Sequence, residues 1–444
     1  MLKINYVPNA FGEGIIVPIP KGDKRMKKTK LADYRGITLN CILSKIFEKA
    51  MLHYIGNYFK TSDLQFGFKK KVGCNNAIYS VRKTIDRFVT DNSTVNLCAL
   101  VLSKAFDRIK FDKLFLKLID KKFPKWSIEI LSNWFSKLKS CVKWNNETSK
   151  PFNISSGVRQ GGILSPLLFN IMVDDLLTEL EKSHLGCFAR SLCCNSFMYA
   201  DDLLLLSITV NDLQSLVDIC FNYFKLIGLE INSDKTYCLR IGPRYSITPV
   251  NILIDSKPVN WVTEVSYLGM SILSAKKFKI NLQSKKQKFF RAANAILSKI
   301  GYFSAPNVII SLVEAQCIPI LLYGLECIEL NKSSISSLEN AYSQIYSKLF
   351  YSYDKNIIKN CQYHFGQLPI ELKIINRKFN FLTKINKYSD SIHCNYFEGQ
   401  GNAIKYLLIG NHIFTDANIQ QVAFDKINIK DILIKTFESS LQAV

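Results

Sequence analysis

The chain has 444 residues, of which 48% are hydrophobic, so it can build more than one buried core and a disordered chain is excluded. The formal charge of +22 favours a polyanionic partner, either nucleic acid or an anionic membrane surface. No apolar run is long and uncharged enough to span a bilayer, and the N-terminus has no signal-peptide core. The 13 irregularly spaced cysteines indicate reduced thiols, so we expect a nuclear or cytoplasmic protein without a membrane partner.

The first part of the chain is predicted to mix short strands with helices. Residues 14–20, GIIVPIP, form a strand that a basic loop follows, and residues 41–59 and 74–91 are helical. Residues 95–101, VNLCALV, are apolar without alternation, which indicates a central strand.

A hairpin and a helix are predicted next. The hairpin covers residues 140–157 and has turn chemistry at Asn145 and Asn146. The helix that follows has clear start signals, with Ser165 as N-cap and Pro166 at the first helical position.

The remaining chain is predicted to become helical. A helix over residues 211–227 has Asn211 as its cap and ends at Gly228. Short strands reach about residue 272, and the pattern is then mostly helical to about residue 384. The chain is therefore predicted to have an α+β core followed by a helical domain.

Two adjacent aspartates, Asp201 and Asp202, interrupt the apolar segment FMYADDLLLLSI. Carboxylates in apolar surroundings are costly unless a positive group pairs with them. Asp is a turn former, so a plain hairpin turn is one interpretation, and a metal site at the tip of that hairpin is the other. This segment alone leaves both interpretations open.

Four stretches in chain order carry a resemblance to a known family. They are ALVLSKAFDRIKFDKL (99–114), SSGVRQGGILSPLLFNIMVDDL (155–176), FMYADD and GLEINSDKT (228–236). Together they resemble the reverse transcriptase of a non-LTR, LINE-type retrotransposon. Further segments extend the resemblance from residue 14 to about 272: IIVPIPKGD, ADYRGITL, LQFGFKKKVGCNNAI and YLGMSI. Eight ordered matches are far more specific than a lone Y-x-D-D.

The resemblance implies an α+β polymerase right hand that acts as an RNA-directed DNA polymerase. In this family two Mg²⁺ ions, for which Mn²⁺ is a substitute, serve nucleotidyl transfer from dNTP substrates. The implied partners are an RNA template, a DNA primer or target, and an RNA–DNA hybrid. Intron-encoded maturases share the palm motifs, but the F-M-Y-A-D-D and Y-L-G contexts favour the retrotransposon type.

The resemblance also assigns residues to the site. Asp201 is the principal metal ligand and Asp202 has a supporting role. Lys235 matches a lysine that assists the pyrophosphate leaving group. The positions that match nucleotide or template binding are Lys21, Arg35, Phe106, Arg159, Gln160, Gly161 and Gly162.

Three of these positions have plainer interpretations from the residues themselves. Phe106 suits a core position, Arg159 a solvated surface, and Lys235 an exposed position after a turn. These alternatives stay open at the level of sequence.

One position departs from the family pattern. The first palm strand of the family ends in D-L-S-K-A-F-D, and here the first aspartate is replaced by Val101. Valine cannot coordinate a metal, and Asp107 lies six residues further on, roughly 20 Å along an extended strand. We therefore expect weakened Mg²⁺ affinity and an impaired polymerase.

The expected domains are fingers with the N-terminal part of the palm (1–95), palm (96–272), helical thumb (273–355) and a C-terminal extension of unclear role (356–444). The chain shows no upstream endonuclease domain and no C-terminal cysteine–histidine knuckle, which indicates a truncated copy. A catalytically inactive nucleic-acid-binding remnant with the same fold is the alternative function. A basic RNA-binding scaffold without polymerase architecture is disfavoured by the ordered motifs.

Overall fold

The computed structural model describes residues 5–21, 30–189, 192–300 and 304–388. The chain divides into two units. Unit 1 comprises Met1–Lys70, Ser93–Arg240 and Arg244–Thr263, and unit 2 comprises Lys71–Asn92, Ile241–Pro243 and Glu264–Val444. The predicted division into fingers, palm, thumb and extension stays a prediction.

The helices of the described residues follow in chain order. They are α1 Asn9–Gly12, α2 Ile42–Ile55, α3 Cys74–Thr90, α4 Phe111–Asp120, α5 Lys125–Phe135, α6 Ser165–Lys182, α7 Val210–Ile227, α8 Leu282–Ile300, α9 Pro306–Leu312, α10 Ile318–Leu322, α11 Lys332–Phe350, α12 Lys355–His364 and α13 Ile370–Tyr388. Short 3₁₀ turns lie at Leu31–Asp33, Gly56–Phe59, Ala105–Arg108, Ser233–Lys235 and Leu325–Cys327, and a π-helical turn at Val313–Cys317.

The strands are mostly short. They are β1 Glu13–Pro20, β2 Tyr34–Asn40, β3 Val95–Val101, β4 Lys139–Trp144, β5 Glu147–Thr148, β6 Phe152–Asn153, β7 Phe188–Ala189, β8 Leu192–Cys193, β9 Ser196–Tyr199, β10 Asp202–Ser207, β11 Tyr237–Ile241, β12 Ile252–Ile254, β13 Lys257–Trp261, β14 Glu264–Tyr267, β15 Met270–Leu273 and β16 Lys279–Ile280.

A six-stranded sheet in the order β12-β13-β11-β3-β10-β9 positions the aspartate pair. The predicted central strand, 95–101, is confirmed at both ends as β3. β10 runs antiparallel to β3, from the pair Asp202↔Val101 to the pair Ser207↔Asn96. The leucine run of β10 is buried on both faces, and Leu203 and Leu205 pack in the core of unit 1 with residues of α6 and α7. A polar contact holds the register: the buried Asn96 side chain of β3 donates to the carbonyls of Ser207 and Ile208, and a slip by one residue would break both bonds.

A second sheet in unit 1 has the order β2-β1-β4-β5, with β6 also paired to β4. β1 and β2 are antiparallel, and Arg35 of β2 faces Ile19 of β1. The predicted strand at 14–20 and the turn at Asn145 and Asn146 are confirmed. The α+β class is confirmed as well.

Two predicted helix starts need correction. Ser165 is the first helical residue and not the cap, since Leu164 takes the cap position without a side-chain hydrogen bond. Asn211 is likewise inside its helix, because the side chain of Thr209 accepts the Asp212 N–H at 3.0 Å. Gly228 ends this helix with φ +81°, as predicted. The first error arose because this helix begins without a capping side chain, and the second because Thr209 also offers a capping oxygen.

Unit 2 is mainly helical, with a three-stranded sheet of β14, β15 and β16. One helical run, Pro306–Cys327, is long and apolar enough by composition to cross a membrane. Half of its most apolar window is buried, and its Glu314 bonds both Tyr342 and Lys373 of the same unit. Such packing is typical of a core helix of a globular unit. The expectation of no membrane span stays a prediction, because this run passes the test of length and composition.

Candidate active site

The aspartate pair lies at a tight hairpin turn. Tyr199 of β9 pairs with Asp202 of β10, so Ala200 and Asp201 form a two-residue turn, as predicted. Ala200 has φ +56°, an uncommon conformation for a residue with a side chain, which some other contact must hold.

Both carboxyl groups of the pair are partly removed from solvent, which raises their pKa values. Burial, together with the charge of the neighbouring Asp201, raises the pKa of Asp202 to about 6, and the charge of Arg35 opposes this shift. Burial also raises the pKa of Asp201, against a hydrogen bond from its own backbone and the charge of Arg35. Arg35 is therefore the cation that the structure brings to the pair.

The pair opens into a cavity of about 950 Å³ formed within unit 1. Its walls carry six basic side chains, Lys21, Arg35, Lys104, Arg108, Arg159 and Lys235, and three acidic ones, Asp107, Asp201 and Asp202. The excess of cations suits a polyanionic ligand such as a triphosphate. All the candidate site residues from the sequence line this cavity: the two aspartates, Lys21, Arg35, Phe106, Arg159, Gln160, Gly161, Gly162 and Lys235.

Val101 ends β3 directly across from Asp202. Partners in such a ladder have Cα atoms about 4.5–5.5 Å apart, so a carboxylate at position 101 would share one site with the pair. The backbone of Val101 is held by the Asn232 N–H, which donates to its carbonyl at 2.8 Å. The position that the family pattern assigns to a further metal ligand therefore carries an isopropyl group, and its ligand role stays a prediction.

Asp107 does not replace the missing carboxylate. It lies in the 3₁₀ turn Ala105–Arg108, and its Oδ1 accepts from Gln160 Nε2 at 3.4 Å. Burial raises its pKa, and the charges that oppose this are Lys104 and Lys21, not the groups around Asp201. Among the residues that the structure describes, no group of three His, Cys, Asp or Glu side chains could hold a metal ion. The donor set therefore does not fit two Mg²⁺ ions as it stands.

The loop Arg159–Gly162 is fixed against the edge of β2. The Thr38 N–H donates to the Gln160 carbonyl at 2.9 Å, and the Glu48 carboxylate accepts the Ile163 N–H at 2.6 Å. Gly161 has φ +132°, and a Cβ there would lie 2.6 Å from the Thr38 carbonyl oxygen. Only glycine fits this close approach, which leaves the loop backbone facing the cavity.

Arg159 is largely engaged with the protein itself. Its guanidinium donates to the carbonyls of Phe11 at 3.2 Å, Gly12, and Lys139 at 3.0 Å, which joins α1 to β4. Burial lowers its pKa to about 10. These contacts favour a structural role and correct the solvated-surface interpretation, whereas template binding by Arg159 stays a prediction.

Phe106 takes the packed position that its residue type suits. Its ring stacks on Phe169 with centroids 4.7 Å apart and planes 13° from parallel, and Phe169 is fully buried. Phe106 also lines the cavity. Packing therefore fixes the ring, and a contact with the sugar of a nucleotide stays a prediction.

Sequence reasoning missed Gln65, the residue that holds the hairpin. Its Oε1 accepts the Ala200 N–H at 3.0 Å and the Gly67 N–H at 2.8 Å, and the side chain is 1% exposed. The flanking backbone pairs with β9, since the Met198 N–H donates to the Leu64 carbonyl at 2.9 Å. The only signal was a polar residue inside the apolar stretch LQFGF.

Lys104 was also missed. It lines the cavity beside Asp107 and has φ +48°. A basic residue between the end of β3 and Phe106 was the available signal.

Residues 19–272, more than half of the chain, match the family described as reverse transcriptase (RNA-dependent DNA polymerase). The chain is 27% identical over 210 residues to the Retrovirus-related Pol polyprotein from type-2 retrotransposable element R2DM of Drosophila melanogaster, which covers 47% of this chain and 20% of that protein. It is 24% identical over 343 residues to the Probable RNA-directed DNA polymerase from transposon BS of the same organism, which covers 73% of this chain and 37% of that protein.

These alignments span about a fifth to two fifths of the relatives' own length. Among solved structures, apo telomerase from Candida tropicalis aligns over 95% of this chain and 69% of that chain, with 12% identity and a TM-score of 0.46.

Gln65→Met is expected to lower the free energy of unfolding by about 1–3 kcal/mol, because it leaves the buried Ala200 N–H without an acceptor. Urea unfolding measures the loss, and hydrogen exchange should accelerate at the Ala200 and Gly67 amides. Gln214→Met is the matched control, since Gln214 Oε1 accepts the Leu253 N–H at 2.7 Å at an exposed site where water can replace it. Equal losses in the two variants would contradict the buried clamp.

Asp202→Asn is expected to stabilise the metal-free protein at alkaline pH. The folded pKa of about 6 exceeds the ordinary value of 3.8, so ionisation of Asp202 costs stability as pH rises through this interval. The gain should be absent below about pH 4 and complete above about pH 6, on the order of 1–2 kcal/mol after solvent screening. Thermal unfolding from pH 4 to 8 measures it, with the exposed Asp234→Asn as a control expected to show no such trend.

Proposed function

Because the chain belongs to the reverse transcriptase (RNA-dependent DNA polymerase) family and has its right-hand polymerase fold, we propose that it carries out RNA-directed DNA synthesis on a primed RNA template, at a rate impaired by Val101. It is the reverse transcriptase domain of a retrotransposon. The observation that carries the proposal is the β10–β3 register, which sets the aspartate pair opposite Val101 at the wall of a basic cavity.

The cavity residues divide the work of holding a nucleotide. Lys21 and Arg35 bind the triphosphate of an incoming dNTP, since ammonium and guanidinium groups both pair with phosphate. The accessible edge of Phe106 packs under the sugar, where it disfavours a 2′-hydroxyl. The backbone of Gln160–Gly162 lies against the nucleotide and template.

Lys235 would assist the leaving group. Its 3₁₀ turn, Ser233–Lys235, is held by the Asn232 side chain, which accepts the Lys235 N–H at 3.2 Å. The lysine head lines the cavity and can stabilise charge that develops on the departing pyrophosphate. This positioning supports an assisting role for the ammonium group.

Asp201 and Asp202 would hold a metal ion through hard oxygen donors, which Mg²⁺ prefers and for which Mn²⁺ is a substitute. A bound ion would supply electrostatic stabilisation of the charge that develops during the displacement. With Val101 in the third position, the pair lacks a carboxylate from the adjacent strand. The impairment therefore comes from the donor set and leaves the nucleotide-binding walls intact.

The basic balance of the chain suits the expected partners. An RNA template, a DNA primer and their hybrid are recognised mainly through phosphates, and the lysines of residues 276–288 add to Lys21 and Arg35 as candidate contacts. Lys276, Lys277 and Lys279 lie beside or within β16 of unit 2.

Val101→Asp is expected to raise primer extension roughly 10²–10³-fold, because it restores an anionic ligand beside Asp202. The assay is extension of a DNA primer on RNA with Mg²⁺ and with Mn²⁺. Val101→Asn is the matched control, because asparagine has nearly the same shape as aspartate without the charge. Its primer extension should stay near that of the parent protein.

Robust extension by the Val101 protein would refute the impairment. Extension by neither protein, with template binding intact, would instead favour an inactive nucleic-acid-binding remnant.

Affinity for an RNA–DNA hybrid is expected to fall steeply with salt, because each neutralised phosphate releases counterions. Alanine at Lys276, Lys277 and Lys279 together should reduce the slope of log K against log salt by up to about 0.9 per lost phosphate contact. Fluorescence anisotropy between 50 and 200 mM salt, on the order of the range where such slopes are resolved, provides the measurement. Lys182→Ala, at the exposed end of α6, is the control, and a flat salt dependence would contradict phosphate-dominated binding.

A further inference from the structure

The loop between α11 and α12 of unit 2 displays two tyrosines to solvent. Tyr351 is 82% exposed and Tyr353 is 88% exposed. Within the part of the chain that the structure describes, neither ring is in an aromatic contact. Rings of this size usually gain stability by burial, so these two contribute little to the fold.

The backbone gives a second reason to single out Tyr351. It caps α11 with φ +52°, in the left-handed region. Glycine, or less often asparagine, takes this position at helix ends because a larger side chain is strained there. Neither packing nor backbone preference accounts for an aromatic residue at this position.

The loop is held in place by its own hydrogen bonds. The Asp354 Oδ1 caps α12 by accepting the Asn356 N–H at 2.7 Å and the Ile357 N–H at 3.4 Å. The Asp354 N–H in turn donates to Ser352 Oγ at 3.3 Å. The tyrosines are therefore presented by an ordered turn, and the one carboxylate beside them is occupied with capping.

Two lysines follow this turn on α12. Tyr353 lines a cavity of about 860 Å³ in unit 2 together with Lys332, Lys355 and Lys359. Among the described residues, no carboxylate lies within ion-pair distance of Lys355 or Lys359. Two carboxylates also line the cavity: Glu339 accepts the Ile370 N–H at 2.7 Å, and the exposed Glu371 begins α13 with Ile370. The positive groups next to the rings along the chain are thus Lys355 and Lys359, and neither has an ion-pair partner within the described residues.

We propose that this loop, Tyr351–Asp354 with Lys355 and Lys359, binds unpaired nucleotides of a nucleic acid strand. Bases stack on Tyr351 and Tyr353 while the lysines contact phosphates, which is how sequence-tolerant single-strand binding works. A duplex keeps its bases stacked inside and offers no free face to the rings. The site lies outside the set of residues that line the cavity of unit 1, so it is a nucleic-acid contact beyond the proposed polymerase function.

The test compares the full chain with its Tyr351→Gly/Tyr353→Ser variant. The probe is a single-stranded RNA of mixed sequence that carries 4-thiouridine, together with a duplex of equal length. Photo-crosslinking of the parent chain should give an adduct on the peptide that contains Tyr351 and Tyr353. The variant should lose that adduct and bind the single strand at least about fivefold more weakly, while duplex affinity is unchanged.

Two controls separate binding from folding. Tyr54→Ser removes a tyrosine of α2 that is 63% exposed, and it should leave the adduct and the affinity unchanged. Tyr351→Gly alone should unfold at the same or a higher temperature than the parent, because glycine accepts this backbone conformation without strain. A loss of RNA binding therefore cannot be attributed to unfolding.

Unchanged single-strand affinity in the double variant, with adducts mapped elsewhere, would overturn the proposal. So would unchanged RNA affinity accompanied by lost self-association in size-exclusion chromatography, since that result assigns the tyrosines to a protein interface. The crosslink requires no catalysis. Its outcome therefore tests RNA binding by the loop independently of whether the protein has polymerase activity.

Discussion

The register of β10 on β3 is the constraint on which the rest of the site depends. Both faces of β10 are buried, so its four consecutive leucines would tolerate a slip, and polar groups at the strand ends hold the register that sets Asp202 against Val101. The buried Asn96 side chain of β3 donates to the carbonyls of Ser207 at 3.3 Å and Ile208 at 3.2 Å, and a slip by one residue would break these bonds. The position of the aspartates thus depends on a buried polar contact at the far end of the same strand pair.

Local patterns predicted the frame of this site well. The apolar run of β3, the hairpin around Asp201 and the helix end at Gly228 each depend on residues close in sequence, so spacing and composition reveal them. Exact helix starts were harder, because Ser165 and Asn211 each have neighbours that can take the cap position. The expectation of a metal ligand at the position of Val101 came only from the family pattern.

The supporting contacts could not be predicted, because they join distant segments. Gln65 reaches Ala200 across 135 residues, and Arg159 reaches Gly12 across 147. No local periodicity reports such pairs. Both side chains hydrogen-bond to backbone atoms of distant segments. For this reason the sequence alone did not single out Gln65, and it left a solvated surface position open for Arg159. The residues that line the cavity could therefore be predicted from sequence, whereas the contacts of Gln65 and Arg159 that hold its backbone could not.

If Val101 leaves the aspartate pair one ligand short, the protein should bind a divalent metal ion weakly. Metal affinity can be measured without catalysis. Electron paramagnetic resonance of Mn²⁺ titrated into the parent chain and into Val101→Asp reports the free ion directly. We expect the Mn²⁺ affinity of Val101→Asp to be at least about tenfold higher than that of the parent chain, and this gain should be lost when Asp201→Asn is added. Equal Mn²⁺ affinity in the parent and the Asp variant would contradict it.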